Sequence, residues 1–282
     1  MNIQTIGIIG AGQMGNGIAQ VFATAGLNVI MHDINEAAVR GGIATVTANL
    51  DRALAKSKIT AEDKQATLSR IVGSVELSGL AEADFVIEAA TENLELKQSL
   101  LKSVDALIKP GTIVATNTSS ISITRLAAHM SHPEQFIGLH FFNPVPVMAL
   151  VEVVRGMQTS DETVAVSQEL AKKAGKSPIL VKNSPGFVVN RLLVPMINEA
   201  VLALQEGLAA AEEIDAGMKL GANHPIGPLA LADLIGLDTC LAIMEVFYRD
   251  FNDPKYRPAT LLREMVDAGY LGRKTKRGFY QY

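Results

Sequence analysis

Residues 3–15 read IQTIGIIGAGQMG, and this stretch decides the fold. Ile3 to Gly10 is a short, apolar, β-rich run that feeds straight into Gly10-Ala-Gly12-Gln13-Met14-Gly15. A helical pattern follows through Ile18, Val21, Phe22 and Ala25, and Gly26 sits where a helix would stop. Asn28 to His32 then reads as a second strand ending at Asp33, about twenty residues after the glycines. A lone GxGxxG is a weak signal, because glycines punctuate many turns. Strand, glycines, helix, strand and acid in this order predict a dinucleotide-binding βαβ unit, with an ordinary ligand-free unit as the rival reading. Gly10 allows the tight turn, Gly12 lets the backbone approach a pyrophosphate, and Gly15 lets the helix close on the strand. The helix start, with Gln13 and Met14 in its first turn, would hold the phosphates with open N–H groups and its dipole. Asp33 would accept hydrogen bonds from the adenosine ribose and repel the extra phosphate of NADP. No arginine follows immediately, so NAD is expected.

Composition is compatible with this unit and excludes several classes. The chain has 282 residues, 48% of them hydrophobic and 19% charged, enough for one large domain or two modest ones. A net charge of −4 offers no basic field for nucleic acid. The single cysteine, Cys240, rules out an internal disulfide framework and suits a reducing cytosol. No apolar run approaches the roughly 20 residues that span a bilayer. The N-terminus opens on a strand pattern without the features of a signal peptide. The expectation is a cytoplasmic protein without membrane or nucleic-acid partners and without a metal.

Working outward, Glu36 to about Lys58 predicts a long helix with Val39, Ile43, Val46, Leu50 and Leu54 as its buried stripe. Thr60-Ala-Glu-Asp63 has the form of a capping box and starts another helix. The next strand arrives only at Ile71, so residues 36–70 are expected to form a helical arm projecting from the sheet. Arg52 and Lys56 lie i,i+4 on this arm without acidic partners, which is also how a plain solvated face looks. Phe85 to Ala89 and Thr112 to Thr116 read as buried strands. Glu92 and Lys97 follow the first at a helix start, where an acid is favourable in any helix. Asn117-Thr-Ser119-Ser120 follows the second, where it would open a helix as caps or bind a ligand at the sheet's C-terminal edge.

Ser160 predicts a cap for a helix to about Ala174, and Ser177 to Val181 a strand. Asn183-Ser184-Pro185-Gly186 then breaks the pattern, with Ser184 as cap and Pro185 at the first helical position. The boundary falls there, giving a domain 1–184 and a domain 185–282. Beyond it only helices are expected: one through Gln205 with Pro195 inside it, then 212–220, 229–248 and 259–268. The fold class is therefore α/β, a doubly wound Rossmann-type domain followed by a smaller all-helical domain. So apolar a helical remainder points to a homodimer interface.

The chemistry is expected in residues 136–154, FIGLHFFNPVPVMALVEVV. Pro144 and Pro146 cannot sit in a continuous central ladder, so the chain must turn between two apolar strands. With the turn near Pro146, His140 and Glu152 lie six residues to either side and become cross-strand neighbours. A carboxylate beside an imidazole fixes its tautomer and suits it to act as a general base. A core histidine satisfied by a glutamate would look the same. HFFNPVPVMALVEV, taken with the glycine loop and the tail GRKT…GFY, closely resembles the L-3-hydroxyacyl-CoA dehydrogenase family, in particular its short bacterial members.

That resemblance spans the whole chain and implies NAD-dependent, reversible oxidation of an (S)-3-hydroxyacyl-CoA, with 3-hydroxybutyryl-CoA as the expected substrate, in fatty acid and butanoate metabolism. It implies His140 as base and Glu152 as its orienting partner. Ser119 and Asn190 would contact the reacting end of the substrate. It places Glu92, Lys97, Asn117 and Asn143 on the nicotinamide side, Lys97 and Asn117 at the ribose. It gives the arm, through Arg52 and Lys56, the nucleotide phosphates of coenzyme A. Two rivals stand beside it. A lysine-base β-hydroxyacid dehydrogenase shares the glycine start, but Asn190 and Arg191 occupy the region of its lysine. A non-catalytic NAD-binding or crystallin-like protein would have no need of His140, Glu152, Ser119 and Asn190 together.

Overall fold

The computed structural model describes residues 3–282. Met1 and Asn2, on which the reading of the extreme N-terminus partly rests, lie outside the described residues. The chain divides after Asn183 into two compact units.

The first unit is an eight-stranded sheet in the order β3-β2-β1-β4-β5-β6-β7-β8. Its strands are β1 Thr5–Ile9, β2 Asn28–His32, β3 Ile71–Ser74, β4 Phe85–Glu88, β5 Ile113–Thr116, β6 Phe136–Phe141, β7 Leu150–Arg155 and β8 Ser177–Lys182. Neighbours from β3 to β6 are parallel, β7 runs antiparallel to β6, and β8 is parallel to β7. Helices α1 Gln13–Thr24, α2 Glu36–Ala55, α3 Ala61–Ser69, α4 Leu94–Asp105, α5 Ile123–Ala127 and α6 Asp161–Lys173 make the connections. Central strands β4, β5 and β6 are buried at every residue, as a parallel sheet covered on both faces requires.

Local chemistry sets the ends of these elements. Asn35, Asn93, Ser122 and Ser160 cap α2, α4, α5 and α6 by accepting a backbone N–H three residues on. Thr60 and Asp63 form the expected capping box, each side chain accepting from the other's amide. Helix α2 stops at Ala55, short of Lys58, where Ser57 takes φ +52. The 36–70 excursion is not held out free of the rest. Val46 and Leu50 join the core formed with α1 and the sheet, and Asn49 donates to Gln20 of α1. Nor does Asn117-Thr-Ser119-Ser120 open a helix. It forms a loop, because Ser122 takes the cap of α5 and the loop's own donors are drawn elsewhere, as described below.

The second unit is all-helical: α7 Val189–Gln205, α8 Ala211–Gly221, α9 Pro228–Ile235, α10 Leu237–Phe251 and α11 Thr260–Asp267. Residues 184–188 make turns ahead of α7 rather than its first turn, and Phe187 takes φ +52. The single helix expected over 229–248 is two. Gly236 adopts φ +105, which breaks the helix and leaves five where the spacing suggested four. Ile197, Val201, Leu229, Leu237, Cys240 and Leu262 fill its main core.

Its tail is tied down at the very end, while the basic stretch Arg273 to Arg277 stays exposed. Asp233, buried in α9, accepts from the amides of Phe279 and Tyr280 and from the Tyr282 hydroxyl. Asp215, buried in α8, accepts from the amides of Leu229 and Ala230 and from the Tyr280 hydroxyl. Two buried carboxylates are thus satisfied by backbone and phenol donors, with no cation among these bonds.

Candidate active site

The glycine loop separates what the fold needs from what a ligand needs. Gly10 takes φ +100, and a Cβ there would meet the Ala89 carbonyl at 2.7 Å. A Cβ at Gly15 would lie 1.7 Å from the Gly10 carbonyl oxygen. Gly10 is required by its positive φ and by the backbone that follows β4, and Gly15 by the packing of α1 on the end of β1. Gly12 differs: its φ of −65 suits any residue, and a Cβ would meet no protein atom within 4 Å. The bare backbone at Gly12 serves something outside the chain, and the open amides at the start of α1 fit the pyrophosphate of a dinucleotide. Gln13 is exposed beside it, while Met14 is half-buried against the core.

Asp33 closes the loop. One of its carboxylate oxygens accepts from the Ala11 amide at 2.8 Å and the other from Ile34 at 2.8 Å. Each oxygen keeps lone-pair capacity for a ribose hydroxyl. Asn16, which the spacing did not single out, ties the loop from within by donating to the carbonyls of Ala11 and Gly12.

A second cluster lies at the C-terminal ends of β4 and β5. Glu88, the last residue of β4, is fully buried and accepts from Lys97 on both oxygens at 2.7 Å, from Thr116 at 2.6 Å and from the Ala90 amide at 2.7 Å. Lys97 is 1% exposed, so its ammonium belongs to this internal pair instead of facing open space. Glu92 stands 3.6 Å from the same ammonium and keeps 40% of its exposure. Its Oε1 accepts from the Thr118 hydroxyl at 2.6 Å, the Ser119 amide at 2.7 Å and the Ser119 hydroxyl at 3.1 Å, with Ser120 adding longer contacts. Burial alone would push the Glu92 carboxyl up. The Lys97 ammonium and the Thr118 and Ser119 hydrogen bonds outweigh it and hold the group below the usual carboxylate range.

The third cluster is the β6–β7 hairpin. His140 and Glu152 are direct cross-strand partners, as the spacing about Pro146 requires, and His140 Nδ1 lies 2.7 Å from Glu152 Oε2. Glu152 is fully buried and the His140 side chain 7% exposed, with the Phe142 ring 4.5 Å from the imidazole. Asn117, at the end of β5, accepts the Phe141 amide at 2.8 Å and fixes the end of β6 next to His140. Asn143 is exposed in the connecting turn. A buried lysine missed by the sequence reading, Lys176, donates to the carbonyls of Val145 and Met148 and pins that turn from below. Burial pushes its pKa down.

The remaining positions are two on α2 and one in the second unit. Arg52 and Lys56 are exposed near the end of α2. Arg52 donates to Asn49, and neither makes an ion pair among the described residues. Asn190 lies half-buried in the first turn of α7, in the second unit, where the guanidinium of the next residue, Arg191, stacks over Phe251 at 3.9 Å.

Known proteins agree with this arrangement over the full length. Residues 5–184 match the NAD binding domain of 3-hydroxyacyl-CoA dehydrogenase, and residues 186–282 match its C-terminal domain. The 3-hydroxybutyryl-CoA dehydrogenase of Bradyrhizobium diazoefficiens is 53% identical over 99% of this chain and 96% of its own. That of Clostridioides difficile is 49% identical over 98% and 99%. The crystal structure of (S)-3-hydroxybutyryl-CoA dehydrogenase from Ralstonia eutropha superposes with a TM-score of 0.98 at 64% identity, covering 100% of this chain and 99% of that one. From the glycine loop to the tail, the chain belongs to the 3-hydroxyacyl-CoA dehydrogenase family, NAD-dependent oxidoreductases of 3-hydroxyacyl thioesters.

Proposed function

We propose that the chain interconverts (S)-3-hydroxybutyryl-CoA and acetoacetyl-CoA, with His140 as the general base and Glu152 as its partner. The observation that carries this is the 2.7 Å contact between His140 Nδ1 and Glu152 Oε2 on facing strands. With Nδ1–H committed to the carboxylate, the lone pair sits on Nε2, and Nε2 takes the proton of the C3 hydroxyl. Bound NAD supplies the acceptor for the C3 hydride. The proton and the hydride together account for the two hydrogens that the alcohol loses. When His140 becomes cationic, the buried Glu152 carboxylate faces the new charge at short range, so stabilisation grows as the reaction proceeds. Ser119 holds the C3 oxygen, and Asn190 orients the same end of the substrate.

The same proposal gives the coenzyme A phosphates to Arg52 and Lys56, which are exposed and without acidic partners among the described residues. It gives the nicotinamide side to Glu92, Asn117 and Asn143, with Lys97 supporting from beneath. It includes a homodimer formed through the second unit, whose Leu192, Leu208, Leu220 and Leu234 are exposed. It also includes action in the cytoplasm, with which the lone Cys240 agrees. No described helix is long and apolar enough to cross a membrane. The test is NADH oxidation by the purified chain with acetoacetyl-CoA. No turnover by the wild-type protein would end the proposal.

A further inference from the structure

We propose that Glu88 is a positioning residue for this reaction: together with Lys97 it fixes the carboxylate of Glu92, and through Glu92 the hydroxyl of Ser119. The inference rests on the role of Ser119 proposed above. Glu88 ends an otherwise apolar strand, Phe85-Val-Ile-Glu88, and its side chain is fully buried. A carboxylate there costs stability that an apolar side chain would not, so its retention calls for a use.

The bonding shows one. Lys97 has three N–H donors, and its ammonium lies 2.7 Å from each Glu88 oxygen. That contact aims what remains of the ammonium at Glu92 Oε2, 3.6 Å away, a separation held by charge and longer than a hydrogen bond. Thr116 and the Ala90 amide complete Glu88's shell, so the carboxylate is held by three groups through four hydrogen bonds. At the far end Glu92 Oε1 gathers the hydroxyls of Thr118, Ser119 and Ser120 and the amides of Ser119 and Ser120. Two carboxylates share one ammonium, and the balance between them sets where Glu92 rests.

Neutralising Glu88 upsets that balance. The ammonium is left with one carboxylate, and the pair closes from 3.6 Å to about 2.8 Å, the ordinary length of a charged hydrogen bond. Glu92 then moves away from the loop by somewhat under 1 Å and carries or releases Ser119. A misplacement of about 1 Å near reacting atoms costs up to about 10²-fold in rate.

The experiment is a double-mutant cycle between Glu88→Gln and Ser119→Ala, read as kcat for acetoacetyl-CoA reduction at saturating NADH. Glu88→Gln is expected to lower kcat by about 10- to 100-fold when Ser119 is present and by less than about twofold in the Ser119→Ala background. An equal loss in both backgrounds overturns the proposal, because it shows that Glu88 does not act through Ser119. Should Glu88→Gln fail to fold, the variant Glu88→Gln with Lys97→Met removes both buried charges and is expected to fold. Its ligand-free melting temperature should recover while kcat stays low, and recovery of both overturns the proposal. Wild-type kcat in Ser119→Ala would overturn the underlying reading of Ser119 and this inference with it. Wild-type kcat in Glu88→Gln alone overturns only the inference.

Discussion

Glu152→Gln is the sharpest test of the His140–Glu152 pair, because it changes charge and almost nothing else. The carboxylate is fully buried and 2.7 Å from His140 Nδ1, and glutamine presents a carbonyl oxygen of the same reach. As His140 takes a proton, two unit charges face each other with their centres about 4 Å apart, worth about 4 kcal/mol at an effective dielectric near 20. The glutamine carbonyl returns about 1–2 kcal/mol as a hydrogen bond to the cation. The difference of about 2–3 kcal/mol falls on the transition state, and kcat should drop by roughly 30- to 150-fold. His140→Gln removes the base itself and should cost about 10²–10⁴-fold. The two changes together should cost little more than the histidine change alone, because they act as one unit. The assay is NAD reduction with (S)-3-hydroxybutyryl-CoA, the direction in which His140 gains its charge, alongside a fluorescence titration of NADH binding, which Glu152→Gln should leave unchanged. Replacing a buried carboxylate need not destabilise a fold, so melting temperature should hold while activity falls. A variant that keeps kcat within about threefold of wild type would refute the argument, since the charge would then be idle during proton transfer.

Three further outcomes are expected. Asp33→Ala should narrow the preference for NAD over NADP, measured as the ratio of kcat/KM, because the carboxylate that repels the extra phosphate is gone. Equal use of both cofactors by the wild type would contradict this. Arg52→Ala with Lys56→Ala should raise KM for acetoacetyl-CoA, more at low salt, and leave KM for NADH alone; a truncated thioester lacking the nucleotide should respond equally before and after mutation. The Glu92 carboxyl is held below its unfolded value, so its contribution to stability is present above the usual carboxylate range and is lost as pH falls through the depressed one. Glu92→Gln should therefore flatten the acid side of the melting-temperature profile below roughly pH 5, by a small amount because the side chain is 40% exposed. An unchanged acid slope would show that the contacts to Thr118 and Ser119 do not stabilise the charged form.

Much of the first unit was legible because its signals are local. The order of strand, glycines, helix and Asp33 needs only adjacent residues, and two prolines fix the turn that brings His140 and Glu152 into register. What stayed hidden depends on contacts that no spacing encodes. Glu88 lies nine residues from Lys97 and 28 from Thr116, and only the folded sheet joins them. A charge closing the run Phe-Val-Ile was nonetheless a signal, since a buried strand tolerates such a residue only with partners. Lys176 reads as a surface lysine until its two carbonyl acceptors, 31 and 28 residues away, are known. The anchoring of the tail's last residues is hidden for the same reason, because Asp215 and Asp233 hold them mainly through backbone amides and tyrosine hydroxyls. Helix ends were misplaced where one residue left the helical region, at Gly236 and Ser57, against a continuous apolar pattern.

The difference between Gly12 and its neighbours bears on how such a protein could lose its chemistry over evolutionary time. Any descendant that kept only the fold, whether as a lens protein or a scaffold, would still need Gly10 and Gly15, because a side chain at either collides with backbone. Nothing in the fold would retain Gly12, where a methyl group meets open space. Drift at that position would therefore begin when the nucleotide ceased to matter, well before the sheet or helix showed any change. The state of this one residue would then separate lineages that still bind the nucleotide from those that merely inherited its cradle.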